Sequence, residues 1–244
     1  MRGRIRSLLL ATGLLAPARG VRAALRRRWL HRDGRRRIEQ YLSSDYPRKL
    51  QLGCGTNVFP GWLNSDRVKE TDGVVIIDAT RELPFEDSIF DYVFSEHLIE
   101  HLEYRDGVAS LKECFRILRP GGKIRIATPD LQFLVDLYGS GKSDLQRNYV
   151  SWSLARFRPE IDIGGEGDVF VINNFFRDWG HKFIYDRDCL GDALQSAGFS
   201  QITWRNVGES DDDQLRRLES HGESISEEFN ALETMVIEGL KADG

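Results

Sequence analysis

The sequence predicts an α/β fold built on a doubly wound, mostly parallel sheet. The first observation is a short apolar strand, Lys49–Leu52, that runs directly into the turn Gly53-Cys54-Gly55. The second is that further strand-like runs alternate with helical stretches, as in strand–helix–strand units. The third is that two of these runs end in a carboxylate, at Asp66 and Asp78. In such folds a nucleotide-like ligand binds where the strands end, beside the glycine turn.

The remaining elements follow in order along the chain. Continuous or alternating apolar runs predict six further strands: Trp62–Asp66, Val74–Asp78, Phe90–Ser95, Lys123–Thr128, Gln201–Val207 and Glu233–Leu240. Helical spacing and end signals predict three helices: Gly107–Leu118, which stops at Arg119-Pro120-Gly121-Gly122, then Leu131–Tyr138, and Asp186–Ala197 with Gly198 as its C-cap. Pro60-Gly61 leaves the first crossover too short for a full helix.

Several motifs together resemble class I (type 11) S-adenosylmethionine-dependent methyltransferases. They are Leu52-Gly53-Cys54-Gly55, Asp66, Asp78 before Leu83-Pro84-Phe85, Phe90-Asp91, and Leu118-Arg119-Pro120-Gly121-Gly122. The resemblance covers about residues 49–130 and continues more loosely to the C-terminus. It implies a Rossmann-like sheet whose last strand, Glu233–Leu240, is antiparallel. An NAD site is the competing interpretation, but Val58 stands where its third glycine would be.

The resemblance also implies the cofactor, S-adenosylmethionine, and its product, S-adenosylhomocysteine. It places the methionine part at Gly53-Cys54-Gly55, the ribose at Asp66, the adenine at Asp78 and Ala79, and the methyl side at Ser95 to His97. The residues expected to bind the cofactor are therefore Leu52, Gly53, Cys54, Gly55, Asn57, Asp66, Arg67, Asp78, Ala79, Ser95, Glu96 and His97.

The segment Ser95–His101 carries the strongest candidates for chemistry. His97 and His101 are four residues apart and would share one helical face, with Glu100 beside them. His-x-x-Glu-His also matches a zinc-protease pattern, which the strand-to-helix context argues against. Similar O-methyltransferases of ubiquinone synthesis and of small RNA carry Glu-x-x-Glu-His here, and His97 replaces the first Glu. Many type 11 methyltransferases place a histidine facing the substrate where His181 stands.

Three interpretations of these residues stay open. In the first, His97, His101 or His181 is a general base that takes the proton of a substrate hydroxyl. In the second, a divalent metal binds His97, Glu100, His101 and His181. In the third, His97 contacts the cofactor, while Glu100 and His101 have only structural roles, as a helix cap or in pairing with other side chains. His31 and His221 have no such context and are not candidates.

Charge divides the chain into a basic arm, 1–45, and a domain, 46–244. Residues 1–40 contain twelve arginines against Asp33 and Glu39, a net charge of about +10, which leaves about −14 for the rest of a chain whose total is −4. The apolar run 7–16 is shorter than the ~20 residues that span a bilayer. It is followed by the basic helical segment Val21–Leu30. Two roles of this arm remain open: peripheral contact with a membrane, or an extension that packs on itself. RNA binding is disfavoured because the arm lacks an interleaved series of aromatic residues that would stack on bases.

Within the domain, residues 139–180 interrupt the regular pattern and are rich in aromatic residues, which predicts an inserted substrate cap; an extra helix completing the core is the alternative. Asp211-Asp212-Asp213 is expected to be a solvated loop.

Cys54, Cys114 and Cys189 are widely spaced and odd in number, which suits a reducing compartment.

The sequence thus predicts a cytoplasmic enzyme, with membrane association through the arm left open. The expected reaction is O-methylation of a hydroxyl group on a small molecule or a glycan. The alternatives are an RNA 2′-O-methyltransferase and a non-catalytic protein of the same fold that binds the cofactor.

Overall fold

The structure, a computed structural model, describes residues 34–43, 47–69, 71–160 and 167–243. The chain forms two compact units, Met1–Asp45 and Tyr46–Gly244. In the first, the backbone is helical over 34–42 (α1), and the Ser43 hydroxyl donates to the carbonyl of Gln40 (2.7 Å). The apolar run and the segment Val21–Leu30 of the predicted arm lie outside the described residues. None of the helices in the described ranges has the length and apolar character that crossing a membrane requires.

The second unit contains one seven-stranded sheet with the order β3-β2-β1-β4-β5-β7-β6. The first five strands pair in parallel, and β7 runs antiparallel to both β5 and β6. This arrangement confirms the predicted fold class. The strands are β1 (Lys49–Leu52), β2 (Leu63–Asp66), β3 (Val75–Ile76), β4 (Phe90–Glu96), β5 (Leu118–Pro129), β6 (Ser200–Arg205) and β7 (Thr234–Leu240).

Six helices of this unit are described, with two 3₁₀ turns, Ile99–His101 and His221–Glu223. The helices are α2 (Tyr104–Ile117), α3 (Leu131–Tyr138), α4 (Asp144–Phe157), α5 (Asp168–Arg177), α6 (Arg187–Ala197) and α7 (Glu227–Glu233). The ends of α6 are as predicted: Asp186 accepts from the backbone of Cys189, and Gly198 takes the left-handed conformation (φ 110°) that ends a helix.

Several predicted boundaries differ from the structure, those of β5 and β3 among them. β5 continues through the Pro-Gly-Gly stop signal, where Gly121 donates its N–H to the carbonyl of Lys241 (2.8 Å), the residue that follows β7. β3 is shorter than the predicted Val74–Asp78 and ends at the edge of the sheet, where Ile76 is exposed. The short first crossover is confirmed: residues 53–62 form only turns, which Asn64 closes through hydrogen bonds to both backbone groups of Phe59.

Strands β4 and β5 contact α2 on one face of the sheet and the long connection 206–226, between β6 and α7, on the other. Since side chains alternate along a strand, Val93 and Ile124 face α2, where they line a small void with Leu111 and Cys114. The opposite face presents Phe94, which packs with Trp62, Leu215 and Leu218. The connection therefore supplies part of the core that a first crossover helix would otherwise form.

A buried ion-pair network ties this connection to the sheet. Arg125 of β5 is fully buried, and its guanidinium donates to Glu219 (2.6 Å) and Glu238 (2.6 Å). The prediction that Asp211-Asp212-Asp213 is simply solvated is wrong for Asp212. This carboxylate accepts from Lys123 (2.8 Å) and from the hydroxyl of Tyr92 (3.1 Å), because the connection folds back over both strands.

Arg125→Met should lower the free energy of unfolding by about 3–5 kcal/mol, because it leaves the buried carboxylate of Glu219 without a cationic partner and Glu238 with Arg205 alone. Chemical denaturation measures this loss. Arg147→Ala is the matched control: its pair with Asp144 is exposed, so the loss should stay below about 1 kcal/mol. Equal, small losses for the two variants would contradict the structural role given to Arg125.

Most of the described part of the inserted region 139–180 is helical, as α4 and α5; from the sequence, an added helix was expected only as the alternative to a cap. A capping box begins α4: Ser143 accepts from the backbone of Gln146, and the Gln146 side chain accepts from the backbone of Ser143. Helices α3, α4 and α5 bury one common cluster of apolar residues: Phe133, Leu134, Leu137, Tyr149, Val150, Val171, Phe175 and Ile184. Residues 161–166 lie outside the described ranges.

Candidate active site

The glycine turn lies where β1 ends, as predicted. Gly53 and Gly55 have φ values of 70° and 52°, a left-handed conformation that glycine adopts without steric cost. A Cβ on Gly53 would lie 2.9 Å from Leu98, so a side chain would not fit there. A Cβ on Gly55 would meet nothing within 4 Å, which leaves this side of the turn open to a ligand. Cys54 between them is buried, and burial is the main reason that its pKa rises to about 11.

Asp66 ends β2 directly beside this turn. One of its carboxylate oxygens accepts from the N–H of Gly55 (2.9 Å), and the other accepts from the N–H of Val68 (2.9 Å). A carboxylate oxygen has two lone pairs, so each oxygen retains one for a further donor. The carboxylate of Asp66 can therefore accept hydrogen bonds from two hydroxyl groups of a ligand.

Asp78 follows β3 at the same edge of the sheet. Its carboxylate accepts from the backbone and the hydroxyl of Thr80, and the hydroxyl contact is the main reason that its pKa is lowered. Ala79 beside it is buried, and Arg67 is exposed. Asn57, another predicted contact, donates to the hydroxyl of Ser220 (2.5 Å).

The end of β4 brings three predicted residues to this edge, but they face different partners. Ser95 lines the small void on the α2 side of the sheet. Both oxygens of Glu96 accept from the backbone N–H of Ser220 (3.0 Å each), and one also accepts from His221 N–H (3.0 Å). Glu96 thus holds the 206–226 connection against the edge of the sheet. His97 has a φ of 47°, an uncommon value for a residue with a side chain.

His97 is joined to buried Glu100 and, through that carboxylate, to buried Thr128. Its Nδ1 donates to Glu100 (3.0 Å), whose other carboxylate oxygen accepts from the hydroxyl of Thr128 (3.0 Å). Burial alone would lower the pKa of His97, but the hydrogen bond and charge of Glu100 outweigh it and raise the pKa to about 9. For Glu100, burial alone would raise the pKa, but the contacts with His97 and His101 outweigh it and hold the pKa below its usual value.

The prediction that His97 and His101 share one helical face is wrong. The left-handed turn at His97 is followed by the short 3₁₀ turn Ile99–His101, and α2 begins only at Tyr104. The two imidazoles consequently belong to different clusters. The His101 ring lies 4.8 Å from the ring of His181, whereas the His97 ring lies 4.2 Å from the ring of His221.

His181 is positioned by backbone contacts on both sides. The N–H of Lys182 donates to the carbonyl of Glu100 (2.8 Å), which draws this loop onto the 3₁₀ turn. The Nδ1 of His181 lies 2.8 Å from the carbonyl of Phe175 and must donate to it, because a carbonyl oxygen only accepts. The neutral ring therefore carries its lone pair on Nε2. Burial lowers the pKa of His181, which keeps that ring neutral at pH 7.

His221 and Glu233 are the site residues that sequence reasoning missed. The Nε2 of His221 lies 3.1 Å from one oxygen of Glu233, and the hydroxyl of Tyr149 donates to the other oxygen. Glu233 is nearly fully buried at the end of α7. No sequence pattern marks His221 or Glu233 as a site residue. His221 is 124 residues from His97, and only the folded connection brings these two histidines together.

These clusters line one cavity of about 220 Å³ at the carboxyl ends of β4 and β5. Its polar wall consists of His97, His101, His181, His221 and Glu233. Its apolar wall comes mainly from the inserted helices and the loop after them: Tyr149, Trp152, Phe157, Phe175 and Trp179, with Pro129 and Ile225. The pocket can thus hold a small, largely apolar molecule next to several imidazoles.

Comparison with known proteins connects this edge of the sheet to one family. The family model described as "Methyltransferase domain" matches residues 50–126. That range contains the glycine turn, Asp66, Asp78, His97 and His101. All of the residues named above for the apolar wall of the cavity lie outside it.

The chain is also similar to individual curated proteins. It is 29% identical over 150 residues to a demethylmenaquinone methyltransferase of Mycobacterium sp. (strain KMS), covering 60% of this chain and 57% of that protein. A protein of the same name from Streptomyces griseus subsp. griseus is 26% identical over 127 residues, covering 51% and 49%. The chain spans about half the length of these relatives.

Among solved structures, a SAM-dependent methyltransferase from Archaeoglobus fulgidus matches with a TM-score of 0.48 and 18% identity. The match covers 84% of this chain and 90% of that one.

Proposed function

We propose that this chain, whose residues 50–126 match the family model described as "Methyltransferase domain", transfers a methyl group from S-adenosylmethionine to a hydroxyl group of a small acceptor. The observation that carries the proposal is the cavity at the ends of β4 and β5, where four imidazoles face an apolar, largely aromatic wall. It lies at the same edge of the sheet as the glycine turn and Asp66, so a donor and an acceptor can bind next to each other.

The residues at this edge fit the cofactor. The open turn Gly53–Gly55 would take the methionine part, the remaining lone pairs of Asp66 would accept from the ribose hydroxyls, and Asp78 with Ala79 would border the adenine. Arg67, Asn57, Leu52 and Ser95 remain proposed members of this site. When bound, S-adenosylmethionine supplies an electrophilic methyl group. For Glu96 we propose an indirect role, since its oxygens already hold Ser220 and His221.

In this proposal His181 is the general base. Its Nδ1 is fixed on the carbonyl of Phe175, and its neutral Nε2 has the lone pair that can accept the proton of an acceptor hydroxyl. The aromatic wall excludes water and restricts the orientation of the acceptor, and positioning of this kind is a large part of the rate of such reactions. His97 is less suited to this role, because its raised pKa keeps it protonated at neutral pH.

The interpretation of His97, Glu100, His101 and His181 as one metal site has weaker support. Glu100, His101 and His181 offer ligand atoms within 4.8 Å of one another, but His97 groups with His221 and Glu233 instead. Both oxygens of Glu100 are also already engaged, by His97 and Thr128. We therefore prefer the general-base interpretation for His181.

The cavity favours a flat, apolar acceptor over a glycan or RNA. Stacked aromatic side chains suit a planar ring, and neither lysine nor arginine is among the described residues of its lining. Methylation of a ring carbon is the second candidate reaction, because the curated relatives are named demethylmenaquinone methyltransferases. A base that deprotonates a ring hydroxyl serves both reactions.

Three further expectations remain proposals. The helices α4 and α5 would form the substrate cap, which their place in the cavity wall supports. The cytoplasm would be the site of action, since the cofactor is intracellular. The arginine-rich arm would contact an anionic membrane surface, which is supported by its charge alone.

Transfer of a labelled methyl group to a panel of acceptors tests the proposal. We expect simple catechols and naphthols to be methylated at oxygen and monosaccharides or single-stranded RNA to remain unlabelled. Labelling at a ring carbon would favour the second candidate. A protein that binds the cofactor but labels none of these acceptors would contradict the assignment of the cavity.

A further inference from the structure

We propose that His97, His221 and Glu233 form a binding site for one divalent transition-metal ion, distinct from the cluster that contains His101 and His181. One ligand atom of each of the three residues lies within 4.8 Å of the other two. Metal–ligand bonds of about 2.0–2.2 Å need somewhat closer contacts, which side-chain shifts of about an ångström provide. Two imidazoles and one carboxylate suit ions of the Zn²⁺ and Fe²⁺ type and disfavour Mg²⁺ or Ca²⁺, which prefer oxygen.

An unpartnered atom points to the same site. The Nε2 of His97 is buried and has no hydrogen-bond partner within the described part of the chain. Its Nδ1 is already committed to Glu100, so Nε2 is the atom that remains for a ligand. A buried polar atom without a partner is uncommon in folded proteins and is explained here by a ligand that is not part of the chain.

The outer contacts have the form found around metal ligands. A ligating histidine usually donates its other ring nitrogen to a carboxylate, and His97 does this with Glu100, which Thr128 holds in turn. Glu233 is likewise held by the Tyr149 hydroxyl on the oxygen that does not face His221. These contacts orient the ring of His97 and the carboxylate of Glu233 before any ion binds, so that only small shifts are needed.

The charge balance also favours a cation. Three carboxylates, Glu96, Glu100 and Glu233, lie near the imidazole of His97, and no described lysine or arginine lines the cavity to balance them. On binding, the ion would displace any proton on the ligating nitrogens. Three protein ligands leave coordination positions open for solvent or for an oxygen atom of a molecule in the cavity.

Titration of the full-length, EDTA-treated protein with Co²⁺ and Zn²⁺ tests this site without any activity measurement. We expect one ion per chain, with Co²⁺ giving visible absorption bands. His221→Ala and Glu233→Gln should each weaken binding by at least about 10-fold to 100-fold, since each removes one of three ligands. Glu233→Gln retains the size of the side chain, and thermal unfolding shows whether either variant remains folded.

The matched controls are His101→Ala and His181→Ala, which alter the neighbouring cluster and should leave metal affinity unchanged. Three results would overturn the proposal: no stoichiometric binding by the unaltered protein, undiminished binding by folded His221→Ala, or losses in the control variants as large as those in His221→Ala. The titration measures metal binding, so a negative result would count against this metal site and not against the proposed methyl transfer.

Discussion

His181→Ala should lower kcat by about 10²-fold to 10⁴-fold, the usual contribution of a general base. The affinity for S-adenosylhomocysteine should hardly change, because His181 lies among the acceptor cavity residues rather than at the glycine turn. Steady-state kinetics with an acceptor found in the panel, together with calorimetry, separate these two effects. Lys182→Ala is the matched control: its exposed side chain is removed, while its backbone N–H still holds Glu100.

The pH profile distinguishes a base from a merely structural histidine. Burial lowers the pKa of His181, so kcat/KM should rise with pH at values below 6.5 and be level at neutral pH, as the ring loses its proton. His181→Ala should lose this acidic limb. If the variant retains both the limb and most of kcat, His181 is not the base.

Asp66→Ala should weaken S-adenosylhomocysteine binding by about 100-fold, that is by about 3 kcal/mol, because hydrogen bonds to a charged acceptor contribute about 1.5–3 kcal/mol each. Asp66→Asn should have a smaller effect, because one acceptor oxygen remains. Calorimetric titration measures both. Asp72→Asn, an exposed carboxyl after the same strand, should bind like the unaltered protein.

Because Asp66 also holds the N–H of Gly55, thermal unfolding must accompany this measurement. Unaltered affinity in a folded Asp66→Ala variant would contradict the placement of the ribose.

Local signals were sufficient for the cofactor edge of the sheet. The glycines that need positive φ, the β-branched runs and the carboxylates at strand ends are all features of neighbouring residues, so the sequence predicts β1, β2 and β4 with their motifs. The antiparallel last strand followed from the resemblance, and the sheet confirms it. The shortness of the first crossover was also visible, in Pro60-Gly61.

The acceptor side could not be predicted in the same way. His97 and His101 have helical spacing, but the left-handed backbone at His97 sends their side chains into separate clusters. His221 reaches His97 only because the 206–226 connection is anchored by Glu96 and by the ion pairs of Arg125. Asp212 is partly buried for the same reason.

One part of the acceptor side did carry an overlooked local signal. Ser143 and Gln146 form a capping box, a sequence pattern that indicates the start of α4. The interpretation of the inserted region as irregular overlooked it.

Calorimetric titration of the full-length protein with S-adenosylhomocysteine tests directly whether this edge of the sheet binds the cofactor. We expect one site per chain with micromolar affinity, which Asp66→Ala weakens and His181→Ala retains. A folded protein that shows no binding would contradict this expectation, since the turn Gly53–Gly55 and Asp66 would then lack the ligand on which the proposed chemistry depends.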